Sequence, residues 1–378
     1  ISVLTDEKYF QGSFDYLTYV SKKVDQPLIC KDFFIDEYQV YLARLHGGNA
    51  ILLMLSVLDD AQYTHLANVA KSLNMSILTE VSNEEEVHRA AALKAKIIGI
   101  NNRNLRDLST DLETTERLVP LIKDLATHEH VVISESGIYT HQDVRRLAPL
   151  VEGFLVGSSL MAEQDITAAA KKLVYGQVKI CGTTNLTGAQ LVKDSQASYA
   201  GLIFAEKSQR FVDLAQAKSI VDAVPFNYVG VFVNAPILKV VEYVEALNLV
   251  AVQLHGHEEQ NYIDKLKAKL PENCQIWLAK GVKENLPELA ETQVDYFLLD
   301  CQVGEQTGGT GQSFSWRLLD HTPDKSHIIL AGGLTPQNVQ QAAAVGVAML
   351  DLNSGVESAP GIKDQNKLNQ AFKQLRTY

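Results

Sequence analysis

The sequence predicts an α/β fold made of two barrels in tandem, each a ring of parallel strands with helices outside. Three observations predict it. Short, almost wholly apolar runs recur along all 378 residues, with helical patterns between them. Runs that are apolar on both faces suit parallel strands covered by helices. The rhythm then restarts at V-K-I-C-G-T-T-N (178–185), after a helical stretch at 165–174 that Asp165 is placed to cap and Gly176 to end. Two domains are the default expectation at this length, and the restart sets them at 1–176 and 177–378.

In the first half, strands are expected near 1–4, 28–30, 50–55, 76–78, 97–100, 131–133 and 154–156. Helix starts have local markers. Ser82 with Glu85 three residues on reads as a capping box before 87–93, and Thr140 with Asp143 reads as another before 144–147. In the second half, strands are expected near 178–180, 201–204, 228–232, 250–254, 276–279, 296–299, 328–330 and 348–352. Thr335–Pro336 marks a helix start with proline at its first position, and 364–375 reads as the last helix.

Eight strand–helix units in the second half fit a (β/α)8 TIM barrel near the minimum size of about 200 residues. The first half gives seven. Strand count and shear must agree for a barrel to close, so the first barrel is expected to lack its N-terminal βα unit. The chain opens without Met on a strand-like run, which points the same way. A doubly wound open sheet also alternates strand and helix, but no dinucleotide fingerprint follows a first strand here.

Composition narrows the function classes. A net charge of −11 argues against a nucleic-acid partner, which would need a broad basic surface. Small anionic substrates need only a few local donors. Cys30, Cys181, Cys274 and Cys301 have no CxxC spacing, which fits a reducing compartment and a cytoplasmic protein. The most apolar run, 50–58, is too short to span a bilayer, so no membrane partner is expected.

Active sites of such barrels lie at the C-terminal ends of the strands. In the second half that rule selects Cys181, Arg210, Asn234, Gln253, His255, Asp300, Gly332–Gly333 and 353–355. In the first half it selects Lys31, Glu80, Asn101, Arg103, 135–137 and Gly157–Ser158. The glycines at strands seven and eight of both halves read as anion cradles, because without a side chain the backbone can approach phosphate oxygens. They read equally, one by one, as tight turns. Cys181 and Asp300 end strands one and six and form a candidate acid–base pair. Cys181 is otherwise a small buried residue, as most free cysteines are. The stretch G-E-Q-T-G-G-T-G (304–311) lacks the ending of a P-loop and is expected to be a mobile lid.

At this point the motifs match a known family. The chain resembles the bifunctional enzymes of tryptophan biosynthesis in which indole-3-glycerol-phosphate synthase is fused to N-(5'-phosphoribosyl)anthranilate isomerase. The first half carries I-S-V-L-T-D-E-K-Y-F (1–10), C-K-D-F (30–33), L-T-E-V-S (78–82), G-I-N-N-R-N-L (99–105), S-E-S-G-I (134–138) and G-S-S-L-M (157–161). The second carries V-K-I-C-G (178–182), V-Q-L-H-G (252–256), L-L-D (298–300), G-G-T-G-Q-S-F (308–314), L-A-G-G-L (330–334) and D-L-N-S-G-V-E (351–357).

The resemblance implies an Amadori isomerisation in the second half, with Asp300 as general acid, Cys181 as general base and Arg210 on the anthranilate carboxylate. Gly333, Ser354 and Gly355 would hold the phosphate. In the first half it implies indole ring closure with loss of CO2 and water. Lys31 would act as acid and Glu80 as base, with Asn101, Arg103 and Glu135 lining the site. Phe10 and Phe33 would form an apolar wall, and Ser136, Gly137, Gly157 and Ser158 would hold phosphate.

Thr183 and Gln209 depart from the family pattern. So does the absence of a first strand bearing a catalytic glutamate and lysine, from which a weak synthase half is expected. The substrates implied are small phosphorylated anthranilate derivatives, handled by a monomer with no cofactor and no metal. Two rivals remain: a non-catalytic phosphate-binding barrel, and a sugar-phosphate isomerase of histidine synthesis. The second resembles a pair of aspartates as acid and base, and Cys181 opposite Asp300 disfavours it.

Overall fold

The structure, a computed structural model, describes residues 1–303, 306–307 and 313–377. Its contacts divide the chain into two units, Ile1–Ile166 and Thr167–Tyr378.

The first unit is a seven-stranded parallel sheet, strands in chain order: β1 (Ser2–Leu4), β2 (Ile29–Lys31), β3 (Ala50–Met54), β4 (Ser76–Val81), β5 (Ile97–Asn101), β6 (Val131–Glu135) and β7 (Gly153–Leu155). Successive side chains on a strand point to opposite faces, and the burial follows that period. Cys30, Ile51, Leu53, Ile98, Ile100 and Val132 join the core beneath the helices. Leu52, Met54 and Leu78 gather on the other face with Ile29, Ile97 and Ile133. Lys31, Glu80, Asn101 and Glu135 share the parity of this second set and end their strands on the inner face.

The second unit is a closed eight-stranded parallel barrel. Its strands are β8 (Gln177–Ile180), β9 (Tyr199–Ile203), β10 (Tyr228–Phe232), β11 (Ala251–Leu254), β12 (Gln275–Val282) and β13 (Tyr296–Val303), then, past the two-residue strand β14 (Gln306–Thr307), β15 (Ile328–Leu330) and β16 (Met349–Leu352). Closure comes from β16 pairing β8 and β12 pairing β13. A hairpin, β17 (Glu357–Ala359) and β18 (Ile362–Lys363), follows β16. Val229, Ala251, Trp277, Leu298, Ile329 and Met349 plug the barrel interior. Lys179, Cys181, Gln253, Asp300 and Asp351 point inward with the same parity and are all buried.

Three local expectations shift. The helix Glu84–Ala92 is capped by Asn83, whose side chain accepts from the Glu86 amide. Ser82 instead donates its amide and hydroxyl to the Glu86 carboxylate. The helix expected at Thr335–Pro336 begins at Val339, because the Asn338 amide side chain binds Thr335 N and Gly333 O and holds 335–338 as a turn. Strands β12 and β13 run past the expected 276–279 and 296–299, because their register continues through Gly281↔Asp300 and Val282↔Cys301. The Thr140–Asp143 capping box forms as read. The expected lid at 304–311 lies outside the described residues apart from β14.

Candidate active sites

In the barrel of the second unit, Cys181 follows β8 and Asp300 lies on β13, both inward at the C-terminal end. Burial pushes the Asp300 carboxyl up to about 7, and the Asp351 carboxylate adds to the push. Its Oδ1 accepts from the Cys301 amide at 2.7 Å. Burial also raises the Cys181 thiol, while the Lys179 ammonium opposes the rise. A carboxyl that holds a proton near neutrality and a thiol facing a cation suit the two halves of an acid–base pair.

Glycines make room for this chemistry. A Cβ at Gly201 would sit 2.8 Å from Cys181 Sγ and 3.0 Å from Lys179 Cε. At Gly182 (φ +75°) it would strike Arg210 Cδ at 2.6 Å and Asn353 Oδ1 at 2.7 Å. Arg210 is held by Glu357 through both Nε (3.0 and 3.1 Å) and Nη2 (2.7 Å). Lys363 on β18 bonds Glu357 Oε1 at 2.8 Å and also donates to the Cys181 carbonyl. Against the cost of burial, these two cations hold the Glu357 carboxyl below its ordinary value. Thr183 donates its amide to Gly201 O at 2.9 Å, and its buried hydroxyl has no partner among the described residues.

Gly333 (φ +62°) and Ser354–Gly355 come from the loops after β15 and β16. The two loops touch: a Cβ on Gly355 would lie 2.0 Å from Leu334 O. Asn234 and Gly256 meet similarly, with Asn234 Oδ1 accepting from His257 N at 2.8 Å. Gln253 accepts from Lys179 Nζ at 2.9 Å and lies 3.0 Å from His255 Nδ1.

The first unit gathers Lys31, Glu80 and Glu135 on one face. Lys31 Nζ lies 3.9 Å from Glu135 Oε2, and neither Glu135 oxygen has a hydrogen-bond partner among the described residues. Burial, then the neighbouring Glu80 carboxylate, pushes Glu135 up to about 8. Burial also raises Glu80, opposed first by Lys31 and then by a hydrogen bond from Asn101. Two orphaned buried oxygens beside an ammonium suit a substrate that brings its own hydrogen-bonding groups. Asn101 accepts from the Arg103 amide at 2.9 Å. Phe10 stacks on Phe33 with centroids 5.0 Å apart, and Lys31 Nζ lies 5.8 Å from the Phe10 ring, so the expected apolar wall stands beside the expected acid.

Ser136 (φ +67°) and Gly137 (φ +73°) form a left-handed pair after β6, and Gly157–Ser158 open the short helix Ser158–Met161 after β7. Asn102, not singled out in the sequence, props the first of these loops. It donates to Ser134 Oγ at 2.9 Å and Ser136 O at 3.1 Å, and accepts from Thr115.

The larger omissions are Lys179 and Asp351, a buried pair 2.7 Å apart, and the Glu357–Lys363 pair. The signal for the first was present: a charge inside an otherwise apolar parallel strand, two residues from a selected site residue. Among the described residues no group of three or more His, Cys, Asp or Glu is arranged to hold a metal ion. No helix of the described residues is long and apolar enough to cross a membrane.

Comparison with known proteins gives the family. A family model described as indole-3-glycerol phosphate synthase matches residues 1–173, and one described as N-(5'-phosphoribosyl)anthranilate isomerase matches 178–374. The tryptophan biosynthesis protein TrpCF of Vibrio cholerae is 56% identical over 378 residues, covering 100% of this chain and 79% of that protein. Its counterpart in Yersinia pestis is 52% identical over 379 residues, covering 100% of this chain and 78% of that one. A solved phosphoribosyl anthranilate isomerase from Thermus thermophilus is 32% identical, with a TM-score of 0.47, covering 53% of this chain and 98% of that one.

Proposed function

Because the chain belongs to the bifunctional family of tryptophan biosynthesis that joins an indole-3-glycerol phosphate synthase to a phosphoribosylanthranilate isomerase, we propose that the two inner-face clusters are the two active sites. The domain boundary falls at 176/177 in this reading. In the second unit, Asp300 gives its proton to the ribose ring oxygen as the C1'–O bond breaks and an iminium forms. Cys181 then takes the C2' proton in its thiolate form, which burial disfavours and the Lys179 ammonium favours. The enolamine left behind becomes the ketone. A proton next to an iminium is acidic enough for such a base. Arg210, oriented by Glu357, takes the anthranilate carboxylate in a two-pronged contact. Gly333, Ser354 and Gly355 take the phosphate.

In the first unit, ring closure expels CO2 and water. The leaving oxygen must gain protons, which suits Lys31 as acid. A proton must leave the former C1' methylene as water departs and the new ring gains its double bond, which suits Glu80 as base. Asn101, Arg103 and Glu135 line that site, Phe10 and Phe33 flank the aromatic ring, and Ser136, Gly137, Gly157 and Ser158 take the phosphate. Four free, buried cysteines support a reducing compartment, and we place the protein in the cytoplasm as a monomer acting on small phosphorylated substrates.

The observation that carries the isomerase assignment is Cys181 and Asp300 both turned inward at the same strand ends, with Asp300 near neutrality in its proton affinity. Cys181→Ala is expected to lower isomerase kcat by roughly a hundred- to ten-thousand-fold with an unchanged circular dichroism spectrum. Turnover that survives the substitution removes the cysteine from this role.

A further inference from the structure

Lys179 and Asp351 form an ion pair inside the barrel, on the first and last strands, directly opposite in register. The side chains are 0% and 7% exposed, and Nζ lies 2.7 Å from Oδ2. Burying two charges costs about as much as their attraction returns, so such a pair is poor evidence for stability. A pair of apolar side chains would lock β8 to β16 as well. Its position suggests another use.

Lys179 stands two residues before Cys181 on the same strand face. Both approach the space that Gly201 leaves empty, which places Sγ and Cε within about 6 Å of each other. Lys179 is further tied to Gln253, and through it to His255. Asp351 uses only Oδ2; its Oδ1 is buried and accepts nothing among the described residues.

We propose that this pair divides the acid and base roles: its ammonium end eases ionisation of the Cys181 thiol, and its carboxylate end keeps the proton on Asp300. The inference rests on the isomerase reading above. Lys179 and Asp351 would be positioning residues, acting through the groups that touch substrate. The charged groups facing Cys181 are Lys179 on its own strand, Asp351 on β16 and Lys363 on β18, with Lys179 foremost. Those facing Asp300 are Asp351 first and then Lys179. After burial, each end of the dipole is therefore the foremost charge at the group it is proposed to serve. Against its burial, Asp351 in turn keeps the Lys179 ammonium charged. Lys363, tied to Glu357 and the Cys181 carbonyl, acts on the thiol in the same direction and stands behind Lys179.

The test uses the full chain and iodoacetamide, with alkylation of Cys181 followed by peptide mass spectrometry across pH. In Lys179→Met the pH of half-maximal alkylation is expected to rise by about one unit or more, so that the rate near neutrality falls about tenfold. The limb of the kcat/KM profile that follows the alkylation profile should move up with it, while KM changes little. In Asp351→Asn the limb near pH 7, which reports Asp300, should move down. If a single variant does not fold, Lys179→Met combined with Asp351→Leu removes both charges and should shift the alkylation profile in the same direction by less, since Asp351 opposes Lys179 at the thiol. Profiles of Lys179→Met and of the double variant that coincide with the parent overturn the proposal. Undiminished turnover of Cys181→Ala beside a shifted alkylation profile would instead sink the isomerase assignment and leave the electrostatic coupling standing.

Discussion

Glu135 lies 1% exposed on the inner face of the first unit, with no hydrogen bond to either oxygen among the described residues. Room for it exists because position 99 has no side chain: a Cβ there would lie 1.8 Å from Oε1. With its ordinary value near 4.5 raised to about 8 by burial and by Glu80, Glu135 holds its proton at neutral pH. The sign for stability follows. Between about 4.5 and about 8 the folded chain binds a proton that the unfolded chain has lost. Stability of this unit should therefore fall as pH rises through that window, by up to ~1.4 kcal/mol per unit, and level off above it. Glu135→Gln should flatten the slope in urea titrations at several pH values. An equal slope in the variant would mean that the carboxyl is ionised in the fold. Glu135 was legible in the sequence from its motif and its strand end. Gly99 was not, because a glycine in a strand does not announce what occupies the space it leaves.

At the scale of elements, the anion-cradle loops read alike in the sequence and differ in the structure. Gly355 sits in the Ser354–Val356 turn, where a Cβ would meet the Leu334 carbonyl oxygen at 2.0 Å, backbone against backbone. Gly157 has φ −126° and a Cβ there would meet nothing within 4 Å. Gly355→Ala is thus expected to cost about 1–3 kcal/mol and to raise the isomerase KM, since the two loops after β15 and β16 must separate. Gly157→Ala should stay within about 0.5 kcal/mol. Thermal unfolding of the two variants against the parent checks both, and a harmless Gly355→Ala would mean that the loops are not held in contact. Periodicity located these loops because strand and helix alternate so regularly around them. It could not rank them, because close approach depends on the neighbouring loop, which lies about twenty residues away in the chain. The β17–β18 hairpin escaped for a similar reason: E-S-A-P-G-I-K reads as a turn, and its worth lies in Glu357 and Lys363 reaching back to Arg210 and Cys181.

At the scale of the molecule, the restart of the rhythm at Val178 was enough to see two units. Contacts divide the chain between Ile166 and Thr167, because the helix Ile166–Tyr175 packs with the second unit, Tyr175 meeting Phe372 edge to face at 5.7 Å. A helical pattern alone does not say which neighbour it will cover. Each unit has its own core, and every residue assigned to one reaction comes from one unit. The two chemistries should therefore be separable by single substitutions. Relative to the parent, Glu80→Gln is expected to lower ring closure by roughly a hundredfold or more while leaving the isomerase within about twofold, and Cys181→Ala to do the reverse. Assays that supply each reaction with its own substrate check this. Joint loss of both activities in either variant, in a protein that still folds, would show that the residues of one unit serve the chemistry of the other.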